Sequence, residues 1–152
     1  MHVKELMTRD LDTCRPDATL HDAAALMRET DCGIVPVIGA DGELAGVLTD
    51  RDICLTAQSK QKKLGDLVVQ EAASTDVTTV QEDDDIDAVH KAMRERRVRR
   101  VPVIDGDQGL VGMVSINDLS RAAADDDEES VKLRQVATTL AKISEPTPRP
   151  RA

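Results

Sequence analysis

Two seven-residue segments of this chain carry the same set of functional groups. Gly46-Val47-Leu48-Thr49-Asp50-Arg51-Asp52 and Gly112-Met113-Val114-Ser115-Ile116-Asn117-Asp118 both run Gly, apolar, any residue, hydroxyl, two variable positions, Asp. Each hydroxyl follows an apolar stretch, Leu44–Leu48 or Leu110–Val114, so each segment reads as the junction where a strand turns into a helix. Glycine lets a backbone approach a ligand closely. The hydroxyl caps the helix and can also donate to a ribose or phosphate oxygen. The first helical turn offers free N–H groups and a partial positive charge to phosphate. An Asp one turn on can accept two hydrogen bonds, which suits a vicinal diol. The same residues also admit a plainer reading, as helix caps and dipole-stabilising charges.

Other chemistry finds little support. No nucleophile, base and orienting group stand together, and there is no P-loop or HExxH, so no catalytic residue is assigned. His2, His21 and His90 are scattered, and Cys14, Cys32 and Cys54 form no CxxC, so neither a metal site nor a disulfide framework is expected. There is no Phe, Tyr or Trp, which removes the platforms on which bases stack. A formal net charge of −9 argues against nucleic acid and anionic membranes as partners. Within the basic cluster, Arg94, Arg96 and Arg97 suit a helix C-terminus. Arg99 and Arg100 remain candidates for phosphate contact. The segment from Met1 to Leu6 has no signal-peptide core, and no apolar run is long enough to span a membrane, so a cytoplasmic protein with reduced thiols is expected.

The elements that position these residues are duplicated. Residues 20–57 align without gaps on 86–123, with identities such as Val35-Pro36-Val37-Ile38 on Val101-Pro102-Val103-Ile104 and Met27-Arg28-Glu29 on Met93-Arg94-Glu95. Upstream, after a length change, Val3-Lys4-Glu5-Leu6 resembles Leu64-Gly65-Asp66-Leu67, and Thr13-Cys14 resembles Thr79-Val80. Each copy reads β-α-β-β-α behind a short helical turn. The extended segments fall at Asp12–Cys14 and Val77–Val80. Helices follow near Leu20–Glu29 and Ile86–Arg97, then paired strands at Ile34–Ile38 and Leu44–Leu48, or Val101–Ile104 and Leu110–Val114. The closing helices start after Thr49 and Ser115. This predicts an α/β (α+β) chain with one repeat over 1–62 and another over 63–124, packed about a pseudo-twofold axis around one shared aliphatic core. An acidic run from Asp125 leads into a helix over Val131–Ile143, with Val136, Leu140 and Ile143 on one face, so 125–144 is a C-terminal helix. Residues 145–152 are Pro-rich and expected to be disordered.

With two copies of the junction in register, each with its Val-Pro-Val strand, the chain resembles the CBS-domain family, whose paired repeats form a Bateman module. Within that family it is most similar to small stand-alone bacterial pairs such as the mycobacterial hypoxic response proteins. The resemblance covers roughly residues 1–124. It implies a regulatory module, not an enzyme, that binds AMP, ADP or ATP, with S-adenosylmethionine or NADH as secondary candidates and no required cofactor. Carried over, Thr49 and Asp52 serve one site, Ser115 and Asp118 the other. Thr13 and Thr79, with Val35, Val37, Val101 and Val103, flank the adenine. Arg51, Asn117, Arg99 and Arg100 are the variable neighbours. A homodimer and a separate protein effector are expected, with the C-terminal helix as a contact. A scaffold with vestigial clefts is the other reading. Asp50-Arg51 against Ile116-Asn117 makes the two sites unequal.

Overall fold

A computed structural model describes residues 1–125 and 132–146 of the chain. The elements in order are helix α1 (Val3–Leu6), helix α2 (Leu20–Glu29), strands β1 (Ile34–Ile38) and β2 (Leu44–Thr49), and helix α3 (Asp50–Lys60). Two short 3-10 turns follow, at Leu64–Asp66 and Val69–Glu71. The second half holds β3 (Val80–Gln81), α4 (Ile86–Arg96), β4 (Arg100–Ile104), β5 (Leu110–Ser115), α5 (Ile116–Asp125) and α6 (Leu133–Ile143). It is a mixed α/β chain with two sheets among the described residues, one of order β1-β2 and one of order β3-β4-β5. The acidic run beyond Asp125 and the Pro-rich tail beyond Pro146 lie outside the described residues.

The chain divides into two compact units, and these do not follow the repeats. One unit comprises Asp10–Val77 with Asp107–Leu110. The other comprises Met1–Arg9, Thr78–Gly106 and the described part of Val111–Ala152. The leading turn of each repeat is therefore exchanged. Val3 N donates to Asp84 O at 2.9 Å, and Val69 N donates to Ala18 O at 2.8 Å. Thr8 bridges Met113 and Ser74 bridges Val47, while His2 bridges Asp85 and Val68 bridges Thr19. Each of these pairings has its counterpart at an offset of 66 residues. This corrects the upstream alignment. Val3-Lys4-Glu5 corresponds to Val69-Gln70-Glu71 with no length change, so the duplication runs unbroken from the first residues.

The exchange also corrects the expectation of one shared core. Buried side chains form two clusters, one in each unit. In the first-repeat unit Leu67 and Val69, both fully buried, complete a core with Leu20, Val35, Val37 and Leu48. In the second-repeat unit Val3 and Met7 do the same against Val89, Met93, Val101 and Leu119. Each imported turn caps a two-layer packing of helix on sheet that the repeat could not close from its own apolar residues.

Local chemistry sets most element ends. Thr19 caps α2 by accepting from Asp22 N, and Asp85 caps α4 by accepting from Asp87 N. Arg97 ends α4 in a left-handed conformation, one residue earlier than the sequence suggests. β1 and β2 pair antiparallel with Val35 opposite Leu48 and a register shift at Val37/Ile38. β3 runs parallel to β4, with Val80 opposite Val103. Its counterpart in the first repeat is shorter than expected. Only Cys14 is bridged to Val37, through Cys14 N to Pro36 O at 3.0 Å and Ile38 N to Cys14 O at 2.9 Å. The cause lies in the flanks, since Arg15-Pro16-Asp17 leaves the edge at once and proline has no N–H to extend the ladder.

Helix α6 packs on α4 and α5 within the second-repeat unit. Val136 and Thr139 are its buried residues, and Ile143 packs against the same core. Leu140, expected on that face, is 45% exposed, as is Leu133 at 65%. Thr139 takes the central inward position because it has a partner there. His90, fully buried on α4, lies with Nδ1 2.9 Å from the Thr139 hydroxyl, which also accepts from Arg94 at 3.1 Å.

Candidate functional site

Each strand-to-helix junction is built by a reciprocal hydrogen-bond pair. At the first, Thr49 Oγ1 accepts from Asp52 N at 3.1 Å, and Asp52 Oδ2 accepts from Thr49 N at 2.9 Å. At the second, Ser115 Oγ accepts from Asp118 N at 3.2 Å, and Asp118 Oδ2 accepts from Ser115 N at 2.8 Å. Two orphan donors are satisfied at each helix start. The capping reading of Thr49 and Ser115 is therefore a structural fact. It also fixes both Asp side chains at the mouth of the helix, where the dipole favours an anion.

The motif glycines meet a close approach from the chain itself. A Cβ on Gly46 would lie 2.6 Å from the Ser74 carbonyl oxygen, and one on Gly112 would lie 2.6 Å from Met7 Sδ and 3.0 Å from Thr8 O. The close approach that excludes a side chain is that of the exchanged segment. Sequence alone could not reveal this, because Ser74 and Thr8 are brought in from the other repeat.

Val35, Val37, Val101 and Val103 are no more than 2% exposed and their side chains belong to the two cores. What their strands can offer a ligand is main chain and the alternate residues. Thr13, Arg51, Arg99 and Asn117 are exposed, and Thr79 and Arg100 are half-buried. Among the described residues, Arg51, Arg99 and Arg100 have no ion-pair partner. Asp50 folds back on its own turn, accepting from Arg51 N at 2.7 Å. Within the first-repeat unit the structure gathers Thr49, Asp52 and Arg51 at one helix start, with Thr13 next to the Cys14 bridge onto β1. Within the second it gathers Ser115, Asn117 and Asp118, and Ile116 N donates to Arg99 O at 2.9 Å, which ties the Arg99-Arg100 strand entry to the same junction.

Sequence reasoning missed three residues. Arg121 makes an ion pair with Asp118 one turn further along α5. Its i+3 spacing was readable, but the pair mattered only once Asp118 was known to be buried. Asp17 and Asp22 were also overlooked. They line an open depression of about 560 Å³ with Thr13, Arg15, Leu26 and Glu29. Arg15 is paired with Asp17 there. Three carboxylates against one committed arginine make this a poor phosphate site, and only Thr13 of the expected residues reaches it.

The comparisons with known proteins agree with this architecture. The chain belongs to the CBS-domain family, whose model matches residues 3–57 and 68–125. A CBS domain-containing protein of Bacillus subtilis, YhcV, is 36% identical over 120 residues, 78% of this chain and 82% of that protein. The crystal structure of Hypoxic Response Protein I, which holds two coordinated zinc ions, matches with a TM-score of 0.73 at 33% identity, over 80% of this chain and 98% of that one. CBSX2, crystallised with AMP, matches with a TM-score of 0.71 at 26% identity, over 81% and 96% of the two chains. Among the described residues no helix is long and apolar enough to cross a membrane, and no cluster of three or more His, Cys, Asp or Glu could hold a metal.

Proposed function

We propose that this chain is a regulatory module that binds an adenine nucleotide at its strand-to-helix junctions and reports to a separate protein. The observation that carries this reading is the duplicated junction, with a hydroxyl and an Asp carboxylate fixed at the N-termini of both α3 and α5. A vicinal ribose diol matches the carboxylate, and the partial positive charge of the helix N-terminus favours phosphate. The AMP held by CBSX2 supports the ligand class. Arg51, Arg99 and Arg100 supply local positive charge on an acidic chain. The module signals by binding one conformation better than another, so the nucleotide shifts a pre-existing equilibrium. A cytoplasmic homodimer is part of the reading, with the exposed Leu133 and Leu140 of α6 available for its contact or for the effector.

Calorimetry with AMP, ADP, ATP, S-adenosylmethionine and NADH tests this. Micromolar binding of at least one adenine nucleotide is expected, and folded protein that binds none of the five sinks the reading. One observation favours a scaffold instead: the hydroxyl and carboxylate at the second junction are satisfied internally. Asp52→Ala and Asp118→Ala decide between them. A scaffold keeps its partner binding in both variants, and nucleotide leaves its melting temperature unchanged.

A further inference from the structure

The two junctions share backbone geometry but differ in what they leave for a ligand. At the first, Asp52 Oδ2 is used by Thr49 N, and Oδ1 has no partner among the described residues. The Thr49 hydroxyl accepts from Asp52 N and does not donate its own hydrogen to Asp52. One carboxylate oxygen and one hydroxyl hydrogen are therefore available. At the second, the Ser115 hydroxyl donates to Asp118 Oδ2 at 2.6 Å, and Arg121 pairs with Asp118 Oδ1. Both oxygens and the hydroxyl hydrogen are already taken. Asp118 is 8% exposed and Arg121 approaches from the solvent side, its own side chain 74% exposed. The residue equivalent to Arg121 in the first repeat is Leu55, which is 51% exposed and cannot pair with Asp52.

We infer that Arg121 is a latch that sets the affinity of the second junction, so that the nucleotide's ribose is taken first and more tightly at Asp52. This rests on the nucleotide reading above and gives it a direction. A diol approaching Asp118 must displace a guanidinium that makes a charge-assisted bond, whereas a diol approaching Asp52 displaces water. The exposure of Arg121 keeps the latch weak enough to open, since solvent screens such pairs. Asp50 works in the opposite sense, since it adds a second carboxylate at the α3 start, so the latch on Asp118 must outweigh it for the first junction to be the tighter.

Two surface substitutions, Arg121→Leu and Leu55→Arg, test the latch, and Asp52→Asn and Asp118→Asn assign each binding event to its junction. Calorimetric titration with AMP of the wild-type chain should show a tighter and a weaker event, and Asp52→Asn should remove the tighter one. Arg121→Leu should then strengthen the weaker event by about two- to fivefold, the range expected for a largely exposed ion pair. Leu55→Arg should weaken the tighter event by a similar factor while the melting temperature stays unchanged. If Arg121→Leu leaves the weaker event unchanged, or if Asp118→Asn removes the tighter one, the latch is wrong although nucleotide binding stands. A wild-type chain that binds none of AMP, ADP, ATP, S-adenosylmethionine and NADH overturns both together.

Discussion

Replacing Gly46 by alanine asks what the glycine of the junction is for. The new Cβ would sit 2.6 Å from the Ser74 carbonyl oxygen and 3.4 Å from its carbon. Both atoms are main chain. They are pinned by Val47 N to Ser74 O at 3.0 Å and Ser74 N to Val47 O at 2.9 Å. Relief requires the Ser74 segment to move outward, which breaks both bonds. Two backbone hydrogen bonds at about 1 kcal/mol each, with about 1–3 kcal/mol for overpacking, put the cost at about 3–5 kcal/mol. At about 2–4 °C per kcal/mol for a chain of this size, the melting temperature should fall by about 10 °C. Gly112→Ala is the internal control. Its Cβ meets the flexible Met7 thioether at 2.6 Å and the main-chain Thr8 oxygen only at 3.0 Å, so a smaller backbone shift relieves it. A cost of about 1–2 kcal/mol is expected there. Thermal unfolding followed by circular dichroism reads both variants beside wild type. The reasoning is refuted if Gly46→Ala melts with the wild type, or if it is the milder of the two. If the glycine instead served ligand approach, both variants would melt normally and lose nucleotide binding.

Three other outcomes follow from burial. Leu67→Ala should cost about 2–4 kcal/mol in urea unfolding, because this fully buried side chain of the exchanged segment completes the first-repeat core; a loss below about 1 kcal/mol would contradict the exchange. His90 is held below the usual imidazole range, chiefly by burial and then by Arg94, with Asp87 opposing. The folded chain keeps it neutral where the unfolded chain takes up a proton, so its contribution is intact above about pH 6.5 and is lost as pH falls below that. The urea midpoint should therefore drop between pH 7 and pH 5.5, and His90→Gln should flatten that slope. Burial pushes the Cys14 thiol up to about 11, so at pH 8 a thiol reagent should label the exposed Cys54 in the native protein and reach Cys14 only on unfolding; labelling of native Cys14 at the rate of Cys54 would contradict its burial.

The strands, the long helices and their caps were readable because each is set by neighbours in sequence. Ile86, Val89, His90 and Met93 recur at helical spacing and all are buried. Thr49, Ser115 and Asp85 stand where hydroxyls and carboxylates cap helices. What escaped depends on distant pairing. The turns at Val3–Leu6 and Val69–Glu71 are too short to show a period. Their proper alignment appears only when Thr8 is seen on Met113 and Ser74 on Val47. Leu140 was placed inward by spacing alone, whereas the His90 and Arg94 partners of Thr139 turn the helix so that the threonine faces in. At the candidate site, the residue types and the duplication were legible. The commitment of Asp118 to Arg121 was not, because composition cannot show that a carboxylate is buried.

The exchanged turns impose an order on the growing chain. Val3 bonds to Asp84, so the segment around it leaves the ribosome roughly eighty residues ahead of the loop on which it docks. The first-repeat unit draws Asp10–Val77 from an uninterrupted stretch and can collect most of its contacts early. Val3 and Met7, both destined for the interior of the other unit, must meanwhile wait in water as an unpaired apolar segment. That segment is thus made early and sheltered late, and a translation product that stops between the repeats leaves it permanently open to chaperones and to association with other chains.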